Sequence, residues 1–301
     1  MTRYRVSHET RYHYEGEVAL GYNRAVLRPR TTTGQRVLAH DLRIDPTPAF
    51  RNEHLDLFGN TVTVFSVETP HRTLVVHAVS EVDVRPEDAQ LDLAGLARWE
   101  DAVTAARQLG DVGRAFSLDS PLVGTDEAFA AYAAPSFPAG RPLYDAVADL
   151  TRRIFEDFTY LPGSTTLSTP PLEVLHSRTG VCQDFAHVEI ACLRSLGLAA
   201  RYTSGYLETS PPVGAPRLVG ADASHAWCSV LLPDRTWIDL DPTNGLIEPV
   251  THVTVGWGRD YADVAPLSGV IFAAGVASEL VVSVDVQQVD PPGAAVISPG
   301  T

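Results

Sequence analysis

The sequence predicts an α+β protein: an antiparallel β-sandwich-like domain, then a domain in which a helix packs on an antiparallel sheet. Three observations lead there. Period-two alternation fills the N-terminus, two helix-period segments lie past the middle, and three strand candidates follow the second helix.

The alternation is clearest at the start. Tyr4, Val6, His8, Thr10, Tyr12 and Tyr14 share one parity, and Arg5, Ser7, Glu9, Arg11 and His13 the other. Aromatic and β-branched residues on one side mark a half-buried strand. "AHDLRIDP", "TVTVFSVE" and "RTLVVHAVSEVDV" continue the pattern, and "DLFGN" (Asp56 to Asn60) supplies a turn. Residues 1–85 therefore read as a β-rich domain with few or no helices. Residues 86–140 read as a partly helical connector. Residues 141–290 form the second domain, which opens on a helix with Leu143, Val147, Leu150 and Ile154 at helical spacing. "YLPGSTTLSTPP" forces an irregular loop. A second helix is expected from Cys182 to Leu196, with Gly197 as its C-cap. "ARYTSGYLE", "SHAWCSVLL", "TWIDLDP" and, near the end, "ELVVSVDVQQV" read as strands, and 291–301 as a frayed tail.

Composition narrows the function classes. With 23 Lys and Arg against 37 Asp and Glu the net charge is −14, which argues against a nucleic-acid partner. No window approaches eighteen consecutive apolar residues, so a membrane span is not expected. "MTRYRVSHETRYHY" lacks the apolar core of a secretory signal. Three cysteines are an odd number in a large chain and do not suggest a disulfide framework. The expectation is a reduced, cytoplasmic protein.

"RTGVCQDFAH" (Arg178 to His187) poses the chemical question. A cysteine is more often a small buried apolar residue than a nucleophile. In the first turn of a helix, however, Cys182 meets the positive end of the macrodipole and unpaired backbone N–H groups, which favour thiolate and can receive an oxyanion. Gly180 allows close backbone approach. Cys192, mid-helix among apolar residues, reads as core. The base that a thiol nucleophile needs is sought among ten histidines. His225 begins one strand, Asp241 ends the next, and "PDR" (Pro233 to Arg235) is a turn candidate between them. Residues opposed across a hairpin have a constant index sum, and 225 + 241 = 466 centres on 233; a turn one residue later would make the pair diagonal. Either register lets a carboxylate hold an imidazole. Asp239 shares the parity of Asp241 and is the rival. Taken singly, His225 reads as a hydrogen-bonded structural residue. His187 reads as structural or as a substrate-edge residue, and Cys228 as packed. A zinc site from Cys182, Cys228 and two histidines lacks ligand spacing of the usual kind, so neither metal nor cofactor is expected.

The settings "GVCQDFAH", "SHAWCSV" and "WIDLDPTNG" resemble the transglutaminase-like superfamily of papain-type cysteine enzymes. "THVTVGWGRDYADVAPLSGV" and the opening "YRVSHETRYHYEGEVALGYNRAVLRPR" are similar to its bacterial branch. The resemblance implies a papain-like transglutaminase core after the β-rich N-terminal domain. It places Cys182 on the family's nucleophile, His225 on its base and Asp241 on the residue that orients the base. Gln183 and Tyr160 are candidates for a side-chain oxyanion donor, beside the backbone N–H of Cys182, which is preferred. Trp227 is a candidate wall of the site, though a buried aromatic beside a strand is the commoner reading, and Asn244 a candidate cap on the loop after Asp241, in a turn role as much as a functional one. The implied activity is acyl transfer at an amide or peptide bond of a protein or peptide substrate through a thioester. Hydrolysis is favoured over transfer to an amine because it needs no acceptor site. A non-catalytic binding module that keeps the fold is the alternative from another class.

Overall fold

The computed structural model describes residues 1–85, 96–208, 224–273 and 277–289. Six strands come first: β1 (Thr2–Val18), β2 (Leu20–Ala25), β3 (Gln35–Asp45), β4 (Phe50–Leu55), β5 (Thr61–Val67) and β6 (His71–Val84). Four helices follow: α1 (Trp99–Arg107), α2 (Asp111–Arg114), α3 (Glu127–Ala133) and α4 (Leu143–Asp157). Next are β7 (Thr159–Tyr160), α5 (Pro171–Ser177), β8 (Thr179–Gly180) and α6 (Cys182–Ser195). The remaining elements are β9 (Ala200–Leu207), β10 (Ser224–Leu231), β11 (Trp237–Asp241), β12 (Leu246–Ile247), β13 (His252–Gly258), α7 (Tyr261–Val264), β14 (Leu267–Phe272) and β15 (Ser278–Gln288). The architecture is α+β with antiparallel sheets, as the alternation and the helical spacing predict.

The first domain is a sandwich of two four-stranded sheets, ordered β15-β1-β6-β3 and β14-β2-β5-β4. The predicted parity of β1 turns inward, and its stripe serves two cores. Tyr14 packs with Leu42, Phe65, Leu74 and Val76 between the sheets. Tyr4 and Val6 pack instead with Tyr206, Val253 and Val255 of the second domain. The sandwich is thus fused to its neighbour through a continuous apolar contact.

Two domain boundaries differ from the sequence reading. The connector does not stand apart: within 96–140, Ala102, Val123, Phe129 and Phe137 enter the same core as α4 and α6. The second domain does not run to 290, because β14 pairs with β2 and β15 with β1 along Tyr4↔Gln288 to Tyr14↔Ser278. The chain returns to complete both sheets of the sandwich, and strands at their edges are covered by this return. The reading of residues 86–95 and of the 291–301 tail lies outside the described residues. Among the described residues no helix is long and apolar enough to cross a membrane.

The second domain is a five-stranded antiparallel sheet, ordered β12-β11-β10-β9-β13, with α6 packed on one face. Leu143, Val147, Leu150 and Ile154 of α4 are fully buried against α6 and the sheet. At the outer edge of β13 the sandwich supplies side-chain amides in place of a further strand. Gln35 donates Nε2–H to the Thr254 carbonyl at 2.7 Å and accepts from Thr254 N–H at 2.8 Å. Asn60 does the same for Trp257, at 2.8 and 3.0 Å. Gly256 is required between them, because a Cβ there would lie 2.9 Å from Asn60 Oδ1. Arg30 and Arg201 lie against the Trp257 ring, 3.6 and 3.8 Å from its centroid.

These amides predict a stability effect at the seam. Asn60→Leu strands a backbone N–H and C=O of Trp257, at about 1–3 kcal/mol each, and is expected to lower unfolding stability by about 2–4 kcal/mol in a denaturant titration. A loss within experimental error of zero would mean that the seam does not depend on them.

Candidate active site

Cys182 is the first residue of α6, and the chain before it is arranged to put it there. α5 ends at Arg178, which adopts a left-handed conformation (φ 57°). Its guanidinium rests on the rings of Tyr132 and Phe158, at 4.3 and 4.7 Å. β8 then pairs in parallel with β7, setting Tyr160 beside Gly180. The Val181 N–H donates to Asp184 Oδ2 at 2.8 Å, and Thr165 Oγ1–H donates to the same oxygen at 2.6 Å. Asp184 therefore ties the helix start to its own third position and to the loop above. A Cβ on Gly180 would lie 2.8 Å from both Cβ and Oδ2 of Asp184, so glycine is needed for that closure. The nucleophile candidate sits half-buried where the first N–H groups of a helix have no intrahelical partner.

The imidazole comes from β10 and the carboxylate from β11. Their hairpin registers Cys228↔Leu240 and Ser229↔Asp239, an index sum of 468, so the turn centres on Asp234. The diagonal register holds. Asp241 lies across from Trp227, one same-face step from His225. His225 Nε2–H donates to Asp241 Oδ2 at 2.8 Å, and Cys182 lies near enough to the same imidazole to raise its pKa. With Nε2 committed to the carboxylate, Nδ1 is left for sulfur. The structure thus brings Cys182, His225 and Asp241 together.

A fourth residue, which sequence reading missed, joins them. His252, the first residue of β13, donates Nε2–H to Asp241 Oδ2 at 2.8 Å. Asn244 adds Nδ2–H at 2.7 Å to that oxygen. The backbone N–H groups of Thr243 and Asn244 donate to Oδ1, at 3.0 and 3.2 Å. Asp241 is completely buried and accepts five hydrogen bonds. The cap predicted for Asn244 is present.

The electrostatics follow from this wiring. Burial alone would push the Asp241 carboxyl up, but the donated hydrogen bonds of His225 and His252 prevail and hold it well below the usual carboxylate range. Burial alone would lower His225; its hydrogen bonds to Asp241 and Cys182 prevail and raise it to about 9. An imidazolium is therefore the resting form at neutral pH, which is what a neighbouring thiolate needs.

The other candidates sort by burial and contact. Tyr160 is half exposed beside the helix start, with its hydroxyl raised by burial and by the proximity of Cys182 and Asp184. Gln183 donates Nε2–H to the Leu167 carbonyl at 3.4 Å, which turns its amide toward the loop. Trp227 does not wall an open site. It is fully buried beneath the imidazoles, 6.0 Å from the His225 ring and 4.9 Å from that of His252. A Cβ on Gly205 would meet its ring at 2.6 Å. Asp239 accepts from Ser229 Oγ–H and takes no part with His225. His187 is buried, accepts from Tyr261 N–H at 3.2 Å and is pushed down to about 4 by burial. That is a structural role. Cys192 is core, and Cys228 faces Glu189, whose carboxyl is raised to about 8 by burial and also bonds Thr151. Cys182 and Cys228 therefore point into different environments, which removes the zinc arrangement built on both.

Among the described residues, His225, Asp241 and His252 form one group whose donor atoms lie within 4.8 Å of one another. Both imidazole nitrogens stand at hydrogen-bond distance from one carboxylate oxygen, a spacing suited to protons between them.

Comparison with known proteins adds relatives to this geometry. Residues 4–83 match the bacterial transglutaminase-like N-terminal region, and residues 131–242 match the transglutaminase-like superfamily. An uncharacterized protein of Mycobacterium tuberculosis is 48% identical over 290 residues, covering 94% of this chain and 92% of that one. The protein-glutamine gamma-glutamyltransferase of Pseudomonas aeruginosa is 27% identical over 152 residues, 43% of this chain and 23% of that one. The crystal structure of a candidate cysteine protease from Cytophaga hutchinsonii shares the fold with a TM-score of 0.72 and 21% identity. It covers 96% of this chain and 91% of that one.

The raised His225 carries a pH signature. Its folded value of about 9 exceeds the ordinary 6.5, so its contribution to stability is complete below pH 6.5 and is lost as pH rises through 9. The stability difference between the native protein and His225→Gln, measured by denaturant unfolding, is expected to shrink across that window. A difference constant from pH 6 to 10 would contradict the raised value.

Proposed function

The chain belongs to the transglutaminase-like superfamily, and from that premise we propose that it is a cysteine-dependent acyl-transfer enzyme acting on amide or peptide bonds. The observation that carries this reading is a helix-start thiol beside an imidazole that is hydrogen-bonded to a buried carboxylate. In the proposed cycle the Cys182 thiolate adds to the carbonyl carbon of a carboxamide or peptide bond. The oxyanion is received by N–H groups at the start of α6, with Tyr160 the better placed side-chain donor, since Gln183 is engaged with the loop. The His225 imidazolium gives its proton to the departing amine or ammonia as the C–N bond breaks, leaving a thioester on Cys182. Neutral His225 then takes a proton from the acceptor, which attacks the thioester and releases the thiolate. Asp241 holds the ring and its tautomer through both halves.

Water is the favoured acceptor, because hydrolysis needs no second binding site; the reading is therefore a peptidase or amidase of protein or peptide substrates. Transfer to an amine is the second reading, favoured by the likeness over 152 residues to a protein-glutamine gamma-glutamyltransferase. Neither acceptor calls for a metal in the steps above. A cytoplasmic setting, in which the three thiols stay reduced, belongs to the same reading.

A peptide library incubated with the protein, with and without a primary amine, tests this by mass spectrometry. Cleaved or deamidated products that depend on Cys182 are expected in both conditions, and amine-linked products would convert the reading to a transferase. If Cys182→Ala yields the same products as the native protein, or if the native protein yields none, the acyl-transfer reading fails.

A further inference from the structure

We propose that His252 is a positioning residue, whose Nε2–H holds the Asp241 carboxylate in the orientation His225 requires and which the N-terminal domain keeps in place through β13. The inference rests on the reading of His225 and Asp241 above. It starts from an imbalance in the His252 ring. The residue is buried, its Nε2 donates at 2.8 Å to Asp241 Oδ2, and its Nδ1 is buried without a partner. A ring serving only to fill space would avoid that unpaired nitrogen, as phenylalanine does. The one polar contact it keeps is to the carboxylate.

Two imidazoles on one oxygen fix which ring nitrogen each presents to it. Both must carry the proton on Nε2 to donate to Oδ2, which leaves Nδ1 of His225 directed at Cys182. The backbone N–H groups of Thr243 and Asn244 hold Oδ1, while His252 and the Asn244 amide share Oδ2 with His225. Without the His252 donor, Oδ2 keeps His225 and the Asn244 amide but loses its restraint on the β13 side. Trp227 packs against both imidazoles and fixes the angle between them.

His252 can hold only if its strand is held. β13 is the edge of the sheet, paired through His252↔Leu207 with β9 on one side. On its other side the main chain of Thr254, two residues on, is gripped by Gln35, and that of Trp257 by Asn60. The sandwich thereby reaches the carboxylate through one strand. This gives the first domain a part in the chemistry that requires no contact with substrate.

The test compares His252→Phe, which keeps a ring but no donor, with His252→Gln, which keeps an N–H donor at similar reach. The groups facing His225 are Cys182, Asp241 and His252, so its own titration, followed by NMR, reads the arrangement directly. In the Phe variant the His225 midpoint is expected to fall from the native value by about one pH unit or more, and kcat on an amide substrate by about a hundredfold with KM within about twofold. The Gln variant should recover most of both. A folded Phe variant with native midpoint and native kcat overturns the proposal. If the native protein turns over no amide at all, the function reading fails, while the midpoint still decides on His252. If neither variant folds, ¹⁵N-histidine spectra of the native protein decide: an Nε2–H tautomer for His252 supports the proposal and an Nδ1–H tautomer overturns it.

Discussion

A fully buried carboxylate with five hydrogen-bond donors is the constraint around which the second domain is assembled. Removing an ionised group from water is costly unless its lone pairs are filled, and Asp241 fills them from three separate places: the β10 imidazole, the β13 imidazole and the turn after β11. Each of those elements must arrive in register for the charge to be tolerated. The same requirement fixes His225, and through it the imidazole nitrogen that meets Cys182. Stability of the sheet and the placing of the imidazole near Cys182 are therefore two consequences of one interaction.

The first domain enters the same account. Its sheets are completed by β14 and β15, which follow the second domain in sequence, so the two units are stitched together by the chain itself. Apolar contact from Tyr4 and Val6 to Val253 and Val255 and the amide grips on Thr254 and Trp257 converge on β13. A strand that would otherwise be a bare edge becomes a fixed support for His252. The dense contact ties the β-sandwich to this core through β13.

Local patterns were legible in the sequence, and long-range returns were not. The helix from Cys182, the inward parity of β1 and the pairing of His225 with Asp241 all depend on neighbours within one element or one hairpin. The hairpin centre fell one residue late because Asp234, which accepts from Thr236 N–H and Oγ1–H, rather than Pro233, sits at the middle of the turn. His252 was out of reach for a different reason. β13 pairs with β9 rather than with β11, so no index sum links it to Asp241. A lone histidine opening "HVTVGWG" carries no sign of which sheet edge it will occupy. The same holds for β14 and β15, whose partners are more than two hundred residues away. Trp227 follows the commoner reading of such a residue, an aromatic buried beside its strand.

The central claim is that the imidazole held by Asp241 activates Cys182 as a nucleophile. The rate of its alkylation by iodoacetamide, measured for the native protein, for His225→Gln and for the native chain in denaturant, tests this most directly. The account predicts that the folded native protein reacts at Cys182 faster than both others, by about tenfold or more, because only there does the sulfur meet both an imidazole held by Asp241 and a helix start. Equal rates in all three would contradict it.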